Sequence, residues 1–224
     1  MKRIAILLLL CCTLASQAQN IHAYLVAGAA GAQVEGDELA GFNHWGLAGG
    51  VGAMVDLGDR DMFALSLETD YSCRGIYNSK YNPDNYYNID LDLHYVDIPL
   101  TFFFHDPYGG LRIGAGLQYS RLLSQPHGRV YYNPQYFIPD SADISFLKND
   151  LAVAIEFRFD IWRNLQFSAR YQYSILPVKK DWHFQMGEKE WYNDCYSSAV
   201  TIRLLWDFGY GDRRSPAKHK KRRR

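Results

Sequence analysis

From Tyr95 to Phe104 the chain reads YVDIPLTFFF, with Val96, Ile98, Leu100, Phe102 and Phe104 apolar and Asp97, Pro99 and Thr101 between them. Period two marks a strand with one apolar and one polar face. The same alternation recurs along the chain. Trp45, Leu47, Val51 and Val55 alternate with His44, Gly46, Ala48, Gly50 and Gly52, and Phe63, Leu65, Leu67 and Tyr71 with Ser66, Glu68, Asp70 and Ser72. Leu111, Ile113, Leu117 and Tyr119 alternate with Arg112, Gly114, Gly116, Gln118 and Ser120; Leu151, Val153, Ile155, Phe157 and Phe159 with Ala152, Ala154, Glu156, Arg158 and Asp160. Leu165, Phe167, Tyr171 and Tyr173 alternate with Gln166, Ser168, Arg170, Gln172 and Ser174; Val200, Ile202, Leu204, Trp206 and Phe208 with Thr201, Arg203 and Asp207. An eighth segment, Ile21 to about Gln33, is rich in Gly and Ala, and its faces cannot be assigned. Before Tyr95 the phase breaks, because Leu91 and Leu93 fall opposite Val96, so a bulge or a strand end is expected there.

Turns near 57–60, 105–110 and 162–164 are short and carry Gly, Pro, Asn or Asp, as tight hairpins require. Longer links, roughly 34–43, 75–90, 122–149 and 176–194, come between them. Short and long links in strict alternation predict an all-β fold, an eight-stranded antiparallel up-and-down transmembrane β-barrel with both termini at the turn end. A soluble barrel of the lipocalin kind shares the period but inverts the faces. Glycine separates the two. Gly46, Gly50, Gly52, Gly114 and Gly116 fall on the polar face; in water they would only weaken strands, whereas inside a narrow barrel they make room for Arg and Glu. Trp45, Tyr71, Tyr119 and Tyr173 at the loop ends, and Phe63, Phe104, Phe159 and Phe208 at the turn ends, form two aromatic girdles. The apolar face is therefore expected to meet lipid.

The N-terminus supports export. Lys2 and Arg3 precede an apolar run from Ile4 to Leu14 and a small-x-small site at Ser16-Gln17-Ala18, so residues 1–18 are expected to be a cleaved signal peptide, residues 19–209 the barrel, and 210–224 a basic periplasmic tail. The apolar run is well short of the ~20 residues of a spanning helix. Cys11 and Cys12 go with the signal. Cys73 and Cys195 remain, one in outward and one in inward phase on strands that are not neighbours, so two free thiols are expected. The 24 Lys and Arg balance the 24 Asp and Glu, but eight of the basic residues lie in 213–224, where no acid occurs. The body is acidic and the tail basic. A periplasmic tail excludes nucleic acid as the natural partner and leaves an acidic protein or anionic headgroups.

As a set, YVDIPLTFFF, HWGLAGGVGA, LRIGAGLQYS, LQFSARYQYSI and the last aromatic-rich strand resemble the PorT-like outer-membrane β-barrel proteins of Bacteroidetes-type bacteria, whose strand reads Tyr-x-Glu-Ile-Pro-Leu. Asp97 replaces the usual Glu, and KHKKRRR is outside the common pattern. The resemblance implies a barrel in the outer membrane of a Gram-negative cell envelope. It implies activity far less: the member that names the family is associated with protein secretion.

Three constellations are candidates for function. Glu68, Asp70, Asp97, Glu156 and Asp160 face the same interior as Arg112, Arg158, Arg170 and Arg203 and are expected to pair and plug the lumen, a structural role favoured over an ion path. Tyr81, Tyr86, Tyr87, Tyr131, Tyr132, Tyr136, Trp182 and Trp191 concentrate in the long links. Tyr with Asn and Ser suits adaptable binding surfaces; equally, these rings pack on one another or at headgroup level. His44 and His94 with Ser72, Ser120 or Ser174 would serve a lipid hydrolase, but no nucleophile motif supports it. No metal-ligand spacing, phosphate loop or nucleotide fingerprint occurs, so no cofactor and no metal are expected. The reading is a monomeric, non-enzymatic barrel in outer-membrane lipid, with loops for an extracellular or envelope protein partner. A purely structural barrel and a lipid-modifying enzyme are the alternatives.

Overall fold

A strand whose side chains alternate in polarity must give each face its own environment, and closing the sheet on itself does so without leaving an edge. The computed structural model describes residues 21–37, 41–57, 62–78, 87–106, 110–132, 145–186 and 189–209. Its strands are β1 (Ile21–Glu35), β2 (His44–Leu57), β3 (Phe63–Tyr77), β4 (Tyr87–His105), β5 (Leu111–Leu122), β6 (His127–Tyr132), β7 (Asn149–Trp162), β8 (Leu165–Ser174), β9 (Lys179–Met186) and β10 (Lys189–Asp207). β1, β2, β3, β4, β5, β7, β8 and β10 pair antiparallel in succession, and β1 returns to β10 from Tyr24↔Asp207 to Glu35↔Tyr196. This is the closed eight-stranded barrel that the alternation predicts. The first strand, unreadable from sequence, sends Ile21 and Leu25 outward and His22, Tyr24 and Val26 inward.

The faces fall as the period requires. Leu47, Val51, Leu67, Ile98, Leu100, Leu117, Val153, Ile155, Ile202 and Leu204 are exposed on the outside, while Glu68, Asp97, Glu156, Arg158 and Arg203 are buried within. Tight turns match their chemistry: Gly110 at φ +68° and Arg163 at φ 38° adopt the left-handed conformation that hairpin connections need.

Two expectations are corrected. No bulge or strand end interrupts the chain before Tyr95: β4 runs unbroken for 19 residues, and Ile89, Leu91, Leu93, Tyr95 and Asp97 all point inward in one phase. What changes is the chemistry of the interior, which becomes apolar toward the loop end. The links 122–149 and 176–194 are also not plain loops. β6 pairs with the loop end of β4, from Tyr87↔Tyr132 to Asp92↔His127, and β9 pairs with the loop end of β10. The sheet thus continues well past the outer aromatic row.

Candidate functional site

The interior is layered. At its middle, Glu68 on β3 and Glu156 on β7 sit among Arg158 on β7, Arg170 on β8 and Arg203 on β10. Arg170 Nη2 donates to Glu68 Oε2 at 2.7 Å and to Glu156 Oε2 at 2.6 Å, and Arg203 Nη1 donates to Glu68 Oε2 at 2.7 Å. Arg158 bridges Glu68 and Glu156, and Arg203 also pairs with Glu156. Asp70 joins through Arg170 at 3.5 Å and Arg203 at 3.4 Å. Tyr24 donates its hydroxyl to Glu68 at 2.8 Å, and the Arg158 guanidinium lies 5.0 Å from the Tyr24 ring centre and 4.6 Å from that of Phe103. Three carboxylates face three guanidiniums, so the layer neutralises itself as a low-dielectric interior demands.

Above this layer lies a second network, in which the alternation placed Asp97, Ser72 and Ser174 but did not reveal Arg74 or Asp150. Arg74 pairs with Asp97 and lies 3.6 Å from Asp150; Ser72 donates to Asp97 at 2.6 Å, and Ser174 to Asp150 at 2.8 Å. Arg74 also stacks 4.6 Å from the Tyr95 ring centre. A small gap lined by Asp70, Ser72, Asp97, Gln172, Thr201 and Arg203 separates the two networks. Arg112 pairs with Asp160 at 3.6 Å near the turn end. Of the expected lumen charges, then, Glu68, Asp70, Glu156, Arg158, Arg170 and Arg203 come together, Asp97 belongs to the upper group, and Arg112 meets Asp160 near the turn end.

Small residues make this packing feasible. A Cβ at residue 52 would run into the Tyr24 ring, with its hydroxyl oxygen only 2.7 Å away, and one at residue 114 would lie 2.6 Å from the Phe103 ring. Gly50, Gly52 and Gly114 make room for the lumen side chains of Asp70, Tyr24 and Phe103, whereas Gly46 and Gly116 lie against neighbouring backbone.

At the loop end the lumen is closed by an apolar cap of Val34, Ile76, Ile89, Leu91, Leu93, Tyr95, Leu122, Phe146, Val178 and Cys195. Trp182 and Trp191 are half-buried against it, Trp182 edge-on to Phe146 at 6.2 Å. Lys179 Nζ lies 5.4 Å from the Trp182 ring centre and donates to the Ser145 carbonyl at 3.1 Å, pinning the strap 145–147 across the cap. Burial among these side chains, with the Asp37 carboxylate nearby, pushes the Cys195 thiol up to about 12. Cys73 and Cys195 are both free. The remaining aromatic candidates divide: Tyr87, Tyr131 and Tyr132 are placed by backbone register on β4 and β6, and Tyr81, Tyr86 and Tyr136 lie outside the described residues. Tyr192, 60% exposed, stacks on His183 at 4.6 Å.

The hydrolase candidates are not brought together. Ser72 and Ser174 serve lumen acids, Ser120 accepts from Arg74 at 3.1 Å, His94 pairs with the Tyr71 hydroxyl at 2.7 Å and His44 with Asp92 at 2.7 Å.

These features define a class: a small closed barrel with an apolar belt for lipid outside and a plugged, self-neutralised lumen inside. The chain belongs to the outer membrane protein beta-barrel domain family, whose model matches residues 4–208. Among solved structures it is similar to Neisserial surface protein A, at 12% identity over 83% of this chain and 97% of that one with a TM-score of 0.46. It is similar too to Ail, the attachment invasion locus protein of Yersinia pestis, at 15% identity over 85% and 100% of the two chains with a TM-score of 0.45. OprG from Pseudomonas aeruginosa matches at 10% identity over 86% and 98%, with a TM-score of 0.38. No curated protein matches the chain.

Proposed function

We propose that this barrel is a non-enzymatic, PorT-like protein of a Bacteroidetes-type outer membrane that presents its loop end to a partner or to a membrane assembly such as a secretion apparatus. Export would be directed by residues 1–18, and the basic tail from 210 would lie in the periplasm. One observation carries the reading. The lumen is filled by ion pairs and sealed by the cap, which argues against a conduit, while β3, β4, β6, β9 and β10 rise beyond the outer aromatic row and fold an apolar core of their own. Raising strands above the bilayer and giving them a core makes a rigid platform, and rigidity lowers the entropy cost of binding. Tyr77 and Tyr192, both exposed there, supply the large, stiff contact area that such surfaces use.

The test keeps the platform and removes the sequence between β6 and Ser145. Replacing 133–144 with a short Gly-Ser linker spares β6 and Phe146. Crosslinking in intact cells, followed by purification, is expected to recover an envelope protein with the wild-type chain and to lose it with the linker variant. Equal recovery from both, or no specific protein from either, would favour the purely structural reading.

A further inference from the structure

Three strands bring three different donor atoms to one point on the rim. His44 opens β2, Cys73 lies near the end of β3, and Asp92 stands on β4. His44 Nε2 is 2.7 Å from Asp92 Oδ1, Cys73 Sγ is 3.9 Å from the same oxygen, and the three donor atoms all lie within 4.8 Å of one another. We propose that His44, Cys73 and Asp92 form a binding site for a borderline transition-metal ion of the Zn2+ type, clipping β2 to β3 and β4 where the barrel rises above the bilayer.

The donor set selects the ion. Imidazole nitrogen, thiolate sulfur and carboxylate oxygen suit Zn2+, whereas Ca2+ and Mg2+ take oxygen alone. Bonds of about 2.0–2.3 Å in tetrahedral array set donor atoms roughly 3.3–3.8 Å apart. The observed separations bracket that range, so side-chain rotations of well under a residue's length complete the set. His44 has one nitrogen to give: Nε2 faces the cluster, and Nδ1 is buried without a hydrogen-bond partner among the described residues. Access is open on one side, because the Asp92 side chain is half exposed while that of His44 is buried. Water or a fourth donor from solvent completes the coordination.

Glycines flank the cluster. A Cβ on Gly75 would lie 2.7 Å from His44 Nε2, and one on Gly46 would lie 2.8 Å from Cys73 Cβ. The first atoms they would meet are backbone carbonyl oxygens, that of Leu91 for Gly75 and that of Cys73 for Gly46, so these glycines let the strands approach closely at the cluster. The site also sits where a clip has something to hold. The described β2–β3 ladder ends at Ala48↔Ser72, yet both strands continue beyond it, to His44 and Tyr77. There β2 stays paired with β1 and β3 with β4, so a metal bridging residues 44, 73 and 92 would hold β2 to β3 where the ladder between them has ended.

The test uses the full chain folded in detergent and Zn2+ itself as probe. Calorimetric titration is expected to show one site per chain. Cys73→Ser, His44→Ala and Asp92→Asn are each expected to weaken it at least tenfold, and Cys195→Ser to leave it unchanged. Should a variant fail to fold, the wild-type protein still decides: Zn2+ is expected to slow maleimide labelling of Cys73 at least tenfold, read at that peptide by mass spectrometry, with EDTA restoring the rate. Unprotected Cys73, or Zn2+ binding that Cys73→Ser leaves intact, would overturn the assignment and place any bound ion elsewhere, on His219 of the tail for example.

Discussion

Tyr24 reaches Glu68 because residue 52 has no side chain. Gly52→Val should therefore drive the ring off its acceptor. Overpacking of this kind costs about 1–3 kcal/mol, to be measured by urea unfolding from lipid vesicles. On the outside the governing quantity is hydration, not volume. Leu100 is exposed between Leu67 and Leu117 on the neighbouring strands, and Leu100→Arg should cost ~2–4 kcal/mol near mid-bilayer, more in thick bilayers than in thin ones. Its neighbour Thr101 is fully buried against Gly114 and Gly116, so Thr101→Arg should also fail, for want of space despite the acids in the lumen. Residue by residue, the charges of the middle layer were legible because the apolar residues beside them fixed the phase. Arg74 and Asp150 were not. They lie at or past the outer aromatic row, where the outer face stops being apolar and the alternation that marks a strand fades although the strand continues.

The same fading explains β6 and β9. Their outer face has no lipid to meet, so composition there reads as loop, and pairing with β4 and β10 depends on partners distant in sequence. β4 shows the effect within one element: Leu91 and Leu93 look out of phase with Val96 only if the interior is assumed polar throughout. Because β4 contributes Ile89 to Tyr95 to the cap and Asp97 to Phe103 to the lumen below it, the two should separate under mutation. Leu93→Ala deletes buried cap volume, which costs about 2–5 kcal/mol in a packed core. Hydrogen exchange is expected to speed up at 87–95 and at β6, while amides of 97–104 stay protected. Uniform loss of protection along β4 would show that cap and barrel unfold as one unit.

At the scale of the molecule, the closed ring was readable from the alternation of short and long links, since the wiring leaves little choice of neighbour. The ion pairs across the lumen were readable only as a list of charges; which of them meet depends on strand stagger, which the alternation does not encode. The wild-type chain should fold only in detergent or lipid, run as a heat-modifiable band, and show no conductance in a planar bilayer. Glu68→Ala leaves three buried guanidiniums sharing two carboxylates, and removing one member of such a buried network costs about 3–5 kcal/mol. The distribution of those charges has a consequence for assembly. Glu68 and Asp70 come from the first half of the chain, whereas Arg158, Arg170 and Arg203, with a single Glu156, come from the second. Within this layer neither half is matched by itself, although Asp150 and Asp160 in the second half also meet Arg74 and Arg112 in the first, so a half-built barrel leaves charged groups without partners that only the other half supplies. Fragments 1–125 and 126–224, refolded separately, should stay outside vesicles, and mixed before addition should insert together and regain the heat-modifiable band.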